Sequence, residues 1–168
     1  MANYELSPCQ IEIDGSDMGK TEGGVTLEVR EETAALHTDQ DGTTPVDEQV
    51  TGTIMRVTGN LAEITLANIA TLTKQTRVTD GTKQKVDIST NVGTSLLTNA
   101  KVLVLKPYVS GVVTTDANKF ITLHQAGIKA NLSMVYNRSD QRVLAFEATG
   151  YADSTGLIGT FGDTTASA

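Results

Sequence analysis

Eight segments of strand character, each cut off by a cluster of Gly, Asp, Asn or Thr, restrict this chain to a mainly-β fold. They occupy residues 10–14, 25–31, 53–58, 85–89, 101–105, 120–124, 130–136 and 142–149. In 25–31, Val25, Leu27 and Val29 alternate with Thr26, Glu28 and Arg30, the period-two pattern of a strand with one buried face. In 53–58, Met55 and Val57 share one face while Arg56 and Thr58 share the other. The many threonines suit half-exposed strand faces, where β-branching is favoured. The expected architecture is a β-sandwich or partial barrel, a single domain over residues 1–168 with one flanking α-helix.

Two connections stand out. Residues 36–52 form a link far longer than the roughly two to five residues of a simple hairpin, so a projecting loop is expected there. It is acidic, with an Asp39-Gln40-Asp41-Gly42 turn followed by Thr44-Pro45-Val46-Asp47. After the next strand, Asn60 offers an N-cap with Glu63 three residues on, a capping box that predicts a helix over 61–72. Leu61, Leu66, Ile69 and Leu72 would face the sheet from one side of it.

Residues 132–136 and 142–148, bracketing the polar stretch 137–141, predict a hairpin. Leu132, Met134 and Tyr136 then share a face that matches Leu144, Phe146 and Ala148. The opposite faces carry Ser133, Glu147 and Thr149 among Val135, Val143 and Ala145, a mixture that by itself best suits the solvent-facing sheet of an ordinary sandwich and is also able to line a wide, wet channel. Residues 164–168 read as a low-complexity, flexible tail.

Composition narrows the function. A net charge of −7 and a pI near 4.7 oppose any grip on nucleic acid phosphates driven by counterion release. With 4% aromatics and no Trp, a core of Val, Leu, Ile and Ala buries less area per residue, which suits stabilisation by neighbouring subunits. Cys9 is the only cysteine, so an intrachain disulfide and a Cys-based zinc site are excluded; it reads as a small buried apolar residue. The start, Met1-Ala2-Asn3-Tyr4-Glu5, has neither a basic nor an apolar region, and no apolar run approaches about 18 residues. A soluble, cytoplasmic chain without membrane insertion is the expectation.

Several motifs approach a chemistry and miss it. Gly15-Ser16-Asp17-Met18-Gly19-Lys20-Thr21 is one residue short of a phosphate-binding loop and leads into a strand, where the mechanism needs a helix N-terminus. Counting His37 as position 1, Asp39, Asp41, Gly42 and Glu48 fall on EF-hand positions. His in place of Asp, Pro45 inside the loop and a strand on the leading flank argue against a calcium site. Ala152-Asp153-Ser154-Thr155-Gly156 lacks the first glycine of a nucleophile elbow, and only His37 and His124 could serve as imidazole bases. Glu31 and Glu32 point to opposite faces of a strand and read as solvated. No catalytic residue, metal or cofactor is expected, and the chain does not read as an enzyme.

The order of the pieces carries a resemblance. The run Gly19-x-Thr21-Glu22-Gly23-Gly24-Val25-Thr26, the run Thr38-Asp39-Gln40-x-Gly42-x-Thr44-Pro45-Val46-Asp47, and Leu61-Ala62-Glu63-x-Thr65-Leu66 come first. Leu103-Val104-Leu105-Lys106-Pro107 follows, then Gln141-Arg142-Val143-Leu144-Ala145-Phe146 up to Asp153, Ile158-Gly159 and Gly162-Asp163. In this sequence order they resemble the tail tube, or major tail, proteins of long-tailed bacteriophages, over about residues 15–163. Residues 78–99 and 112–118 add nothing to the likeness.

The resemblance implies a structural virion protein that forms hexameric rings stacked into a tube for genome delivery. Its implied partners are further copies of itself, a tape measure protein, a tail terminator and baseplate or tip proteins, with DNA passing transiently and non-specifically. Host cytoplasm before assembly and the virion tail afterwards are the implied locations. On this reading Asp39, Gln40, Asp41, Thr44, Pro45 and Asp47 make the contact between rings. Glu28, Arg30, Arg56, Ser133 and Glu147 face the lumen, where a sixfold multiplied negative charge would keep DNA from sticking within about 8–10 Å of the wall. A secretion-system tube protein is the alternative with the same ring logic; a monomeric ligand-binding β-barrel or a cryptic hydrolase would instead carry a saturable pocket.

Overall fold

The structure, a computed structural model, describes residues 7–134, 136 and 138–167. Its strands are β1 (Cys9–Ile13), β2 (Ser16–Asp17), β3 (Thr21–Leu36), β4 (Asp47–Leu61), β5 (Arg77–Asp80), β6 (Lys83–Val86), β7 (Lys101–Val109), β8 (Val112–Val113), β9 (Ile121–Asn131), β10 (Leu144–Gly150) and β11 (Gly159–Phe161). One helix, α1 (Leu66–Thr73), follows β4, and a 3-10 turn spans Ala117–Lys119. Nine strands form one antiparallel sheet in the order β2-β1-β7-β9-β10-β4-β3, with β11 on β9 and β8 on β7, while β5 and β6 pair only with each other. The fold is mainly β, as expected, but the large sheet is not closed into a barrel: β1 approaches β3 without pairing to it.

One face of the sheet holds the core. Register sets Leu27, Val57, Ala148 and Ile128 in one row across four strands, and Leu61 opposite Leu144 in another. Leu103, Leu123 and Ile11 extend the core across β7, β9 and β1, and Leu72 of α1 is fully buried against it. The alternation read from sequence holds where it was clearest: Met55, Val57, Leu144, Phe146 and Ala148 are all buried.

The helix begins later than its capping box predicts. Asn60 and Leu61 remain in β4, paired with Ala145 and Leu144, so their backbone groups are already used by the sheet. Glu63, instead of closing a box, accepts a hydrogen bond from the Lys20 backbone N–H at 3.2 Å. Thr65 is the actual N-cap, its hydroxyl accepting from the Asn68 backbone N–H at 3.1 Å, and Lys74 ends the helix at φ 58°.

Asn68 is the residue that sequence periodicity does not single out. It is buried, and its Nδ2 donates to the carbonyls of Met18 at 2.9 Å and Glu63 at 2.8 Å, tying the segment after β2 to the helix. Replacing Asn68→Ala strands both carbonyls. The expected loss is about 1–3 kcal/mol in a urea titration, against nearly none for Ala67→Ser on the exposed side.

Other segments shift in extent. The expected strands at 120–124 and 130–136 merge into one long β9, which ends at Asn131, and the predicted 85–89 strand becomes β6 of a tight hairpin turning at Gly81-Thr82. The predicted hairpin survives as β9 and β10, paired from Asn131–Ala145 to Ala126–Gly150, with a connection over 132–143 rather than five residues. Leu132 and Met134 pack on the core, but Tyr136 is 77% exposed, with the Arg142 guanidinium 5.0 Å from its ring centroid. Val135 and Asn137 of that hairpin, the Met1-to-Glu5 start and Ala168 of the tail lie outside the described residues. Among the described residues no helix is long and apolar enough to cross a membrane.

Candidate assembly interface

The 36–52 link is mostly strand. β3 and β4 stay paired out to Leu36 and Asp47, so only residues 37–46 are loop and the projection is a two-stranded arm. The sequence reading of an unstructured connection missed this because the pairing of Thr33, Ala34 and Ala35 with Val50, Gln49 and Glu48 follows a register shift at Glu32/Thr33, which breaks the simple alternation.

The arm is unsupported. β10 ends at Gly150, so below Arg56 β4 has β3 as its strand neighbour and nothing beyond it, and β3 is itself the edge of the sheet. Every residue from Glu28 to Thr53 is exposed. Eight residue steps from Met55 to Asp47 carry the arm about 26 Å before the loop starts. A two-stranded ribbon with open edges is marginal in water, and this one also exposes Val29, Val46 and Val50 at 50%, 51% and 58%.

The tip folds on itself. The Asp41 and Thr44 backbone N–H groups donate to the carbonyls of Thr38 and Asp41 at 3.1 and 3.2 Å, the Thr38 hydroxyl donates to the Asp41 carboxylate, and Val46 N–H closes the loop on the Leu36 carbonyl at 2.9 Å. Asp39, Gln40, Asp41, Thr44 and Pro45 all lie in this loop, and Asp47 opens β4. The EF-hand spacing does not converge: among the described residues no three potential metal ligands come together.

The charge of the chain is concentrated here. Glu31, Glu32, Asp39, Asp41, Asp47 and Glu48 lie between residues 31 and 52 with no Lys or Arg, which places six of the seven net negative charges on the arm. By contrast, the polar face of the sheet is balanced. Across β3, β4, β9 and β10, Glu28, Arg30, Arg56 and Glu147 share that face with Lys129 and with Glu22, which faces Asn60, so that outside the arm's own six acids three carboxylates meet three cations. Glu147 Oε1 sits 3.3 Å from Lys129 Nζ and 3.8 Å from Arg56 Nε, and Arg30 bonds Glu32 at 2.7 Å. Ser133 lies past the end of β9, outside this array. Sequence reasoning missed Lys129, whose opposition to Glu147 appears only once β9 and β10 are in register.

The near-miss motifs resolve into turns. Asp14 and Gly15, at φ 53° and 76°, make the tight link between β1 and β2, where the phosphate loop would have stood. Asp153 Oδ1 accepts from the Thr155 hydroxyl at 2.7 Å and from the Leu157 and Thr155 backbone N–H groups at 3.0 and 2.7 Å. The Thr155 hydroxyl first, and then these N–H groups, hold its carboxyl below the usual range. His124 Nε2 lies 2.8 Å from Thr160 Oγ1, joining β9 to β11. Cys9 is half-buried, and that burial pushes its thiol pKa up, away from reactivity. In the cleft of about 350 Å³ at the end of α1, Lys101 is paired with Asp14 at 2.8 Å and Lys74 donates to the Ile128 carbonyl at 2.9 Å, so both ammonium groups are engaged within the chain.

No protein-family model matches this chain, and no curated protein matches it significantly.

Proposed function

We propose that this chain is a building block of a tube, of the kind formed by phage tail tube proteins: six copies close a ring, rings stack, and the bore passes a genome. The observation that carries the reading is the arm, a ribbon about 26 Å long with open edges and exposed valines that gains partners only outside its own chain. The unclosed sheet supports it as well. Edge-to-edge contact of each copy with its neighbours would satisfy the unpaired side of β3 and complete a wide barrel, a tube-like version of the expected sandwich or partial barrel.

The balanced polar face is the surface suited to line the bore. Its three carboxylates matched by three cations would offer DNA phosphates no net attraction, so the surplus acidity that sequence reading assigned to the wall would act at the arm instead. Asp39, Gln40, Asp41, Thr44, Pro45 and Asp47 would then meet the next ring at the arm's tip.

Light scattering coupled to size exclusion, with negative-stain microscopy over a concentration series, tests this. Rings with a central hole, stacking into tubes as concentration rises, are expected. Stable single rings that never stack would favour the secretion-system alternative, and a 17.8 kDa monomer at every concentration overturns the tube reading.

A further inference from the structure

The arm is not a straight continuation of the sheet. Its inner part is a regular ladder from Val25 opposite Gly59 to Glu32 opposite Gly52. Past that point the register moves by one and Thr33 faces Val50, so Thr51 is an extra residue with no partner on β3. Such a β-bulge bends the strand that carries it and sharpens the local twist. Two bonds converge on Glu32 at the bend: the Thr51 hydroxyl donates to its carbonyl at 3.1 Å, and the Arg30 guanidinium donates to its carboxylate at 2.7 Å.

Nothing packed nearby calls for the bulge. β10 leaves β4 at Arg56, before Gly52 is reached, and every residue from Glu28 to Thr53 is exposed, so the extra residue accommodates no neighbouring strand and no core side chain. Nor does it decide which side chains share a face. A ladder without Thr51 would run from Gly52 directly to Val50, and Val50 and Glu48 would still stand opposite Thr33 and Ala35. What the extra residue adds is direction. The pairs from Thr33–Val50 to Leu36–Asp47 carry the ribbon about 10 Å past the bulge before the 37–46 loop begins, so a bend there displaces the whole tip.

We propose that the Thr51 bulge aims the outer half of the arm, and that assembly depends on this direction because the tip has to meet the next copy at one place. The second part rests on the assembly reading; the first concerns the single chain. The Arg30–Glu32 pair is exposed and weak, so the bend comes from the inserted backbone and the side chains only trim it. Interrupting the ladder of a ribbon already marginal in water is a local loss, and the contact made by a correctly aimed tip offsets it.

Deleting Thr51 tests this, since it straightens the ladder while every other residue keeps its partner, its face and its charge. Thr51→Ala is the control, which keeps the extra residue and loses only the hydroxyl. Circular dichroism melts of both should lie within a few degrees of the unmodified chain, because no buried group changes. Spin labels at Thr43→Cys in the loop and Ser154→Cys in the exposed turn after β10, with Cys9→Ala, measure the distance from tip to body at concentrations where the chain is monomeric. The deletion should shift that distance by several ångströms and raise the protein concentration needed for assembly at least about tenfold. Thr51→Ala should match the unmodified chain in both. An unmoved distance in the deletion variant overturns the bulge as the aiming element. A shifted distance with ordinary assembly overturns the dependence of assembly on direction, and so does a Thr51→Ala chain that fails to assemble with its distance unchanged. If the unmodified chain never assembles, the tube reading falls by itself, and the distance still decides whether the bulge aims the arm.

Discussion

Excising residues 33–51 together with Glu32→Asn is expected to abolish assembly and leave the monomer folded. Glu31 and Thr53 face each other in the β3–β4 register, so the cut leaves them joined by a two-residue Asn-Gly turn, the chemistry a tight hairpin prefers. No buried side chain is lost, because everything from Glu28 to Thr53 is exposed. The melting temperature should move by only a few degrees, about what surface changes worth under 1 kcal/mol produce. Five carboxylates (Glu32, Asp39, Asp41, Asp47 and Glu48) leave with no Lys or Arg, so the net charge falls from −7 to −2 and solubility needs to be checked separately. Sedimentation should find no tubes at concentrations where the full chain forms them. Tubes of ordinary length from the shortened chain would remove the arm from the assembly mechanism.

Leu72→Ala should have the largest effect on the monomer itself, about 2–5 kcal/mol. Leu72 is fully buried and is the only large apolar side chain of α1 that is, so it fixes the helix to the sheet. An eight-residue helix has no stability of its own in water, so its attachment depends on packing led by Leu72, with Ala70 and Ile69 beside it, and on the two hydrogen bonds of Asn68. A loss of that size is a large part of the roughly 5–15 kcal/mol that holds a typical domain folded. The urea midpoint should fall with little change in slope. A loss under about 1 kcal/mol would mean that α1 is not what seals this face of the sheet.

The two experiments separate two kinds of stability. The core draws on one sheet face and one helix of the same chain, whereas the arm has partners only in its own ribbon. Asn68→Ala should weaken the first and leave the second alone, because it lies at α1, away from the ribbon.

What the sequence determined by itself was local. The alternation of Met55 and Val57, and of Leu144, Phe146 and Ala148, announced buried strand faces because side chains on a pleated strand point to opposite sides whatever the strand's partner is. The acidity of 31–52 was also plain in the residues, as were turns such as the one at Gly81-Thr82. Tertiary structure decided everything that depended on which backbone groups were already taken. Asn60 has the chemistry of a helix cap, but the ladder between β4 and β10 uses its backbone, so capping passed to Thr65. Residues 36–52 look like a loop until β3 supplies partners for β4, and Glu147 looks like an unpaired acid until β9 brings Lys129 beside it. Propensity and periodicity belong to single residues and their near neighbours; hydrogen-bond pairing and charge compensation between strands belong to residues far apart in the chain, and only the folded sheet brings them together.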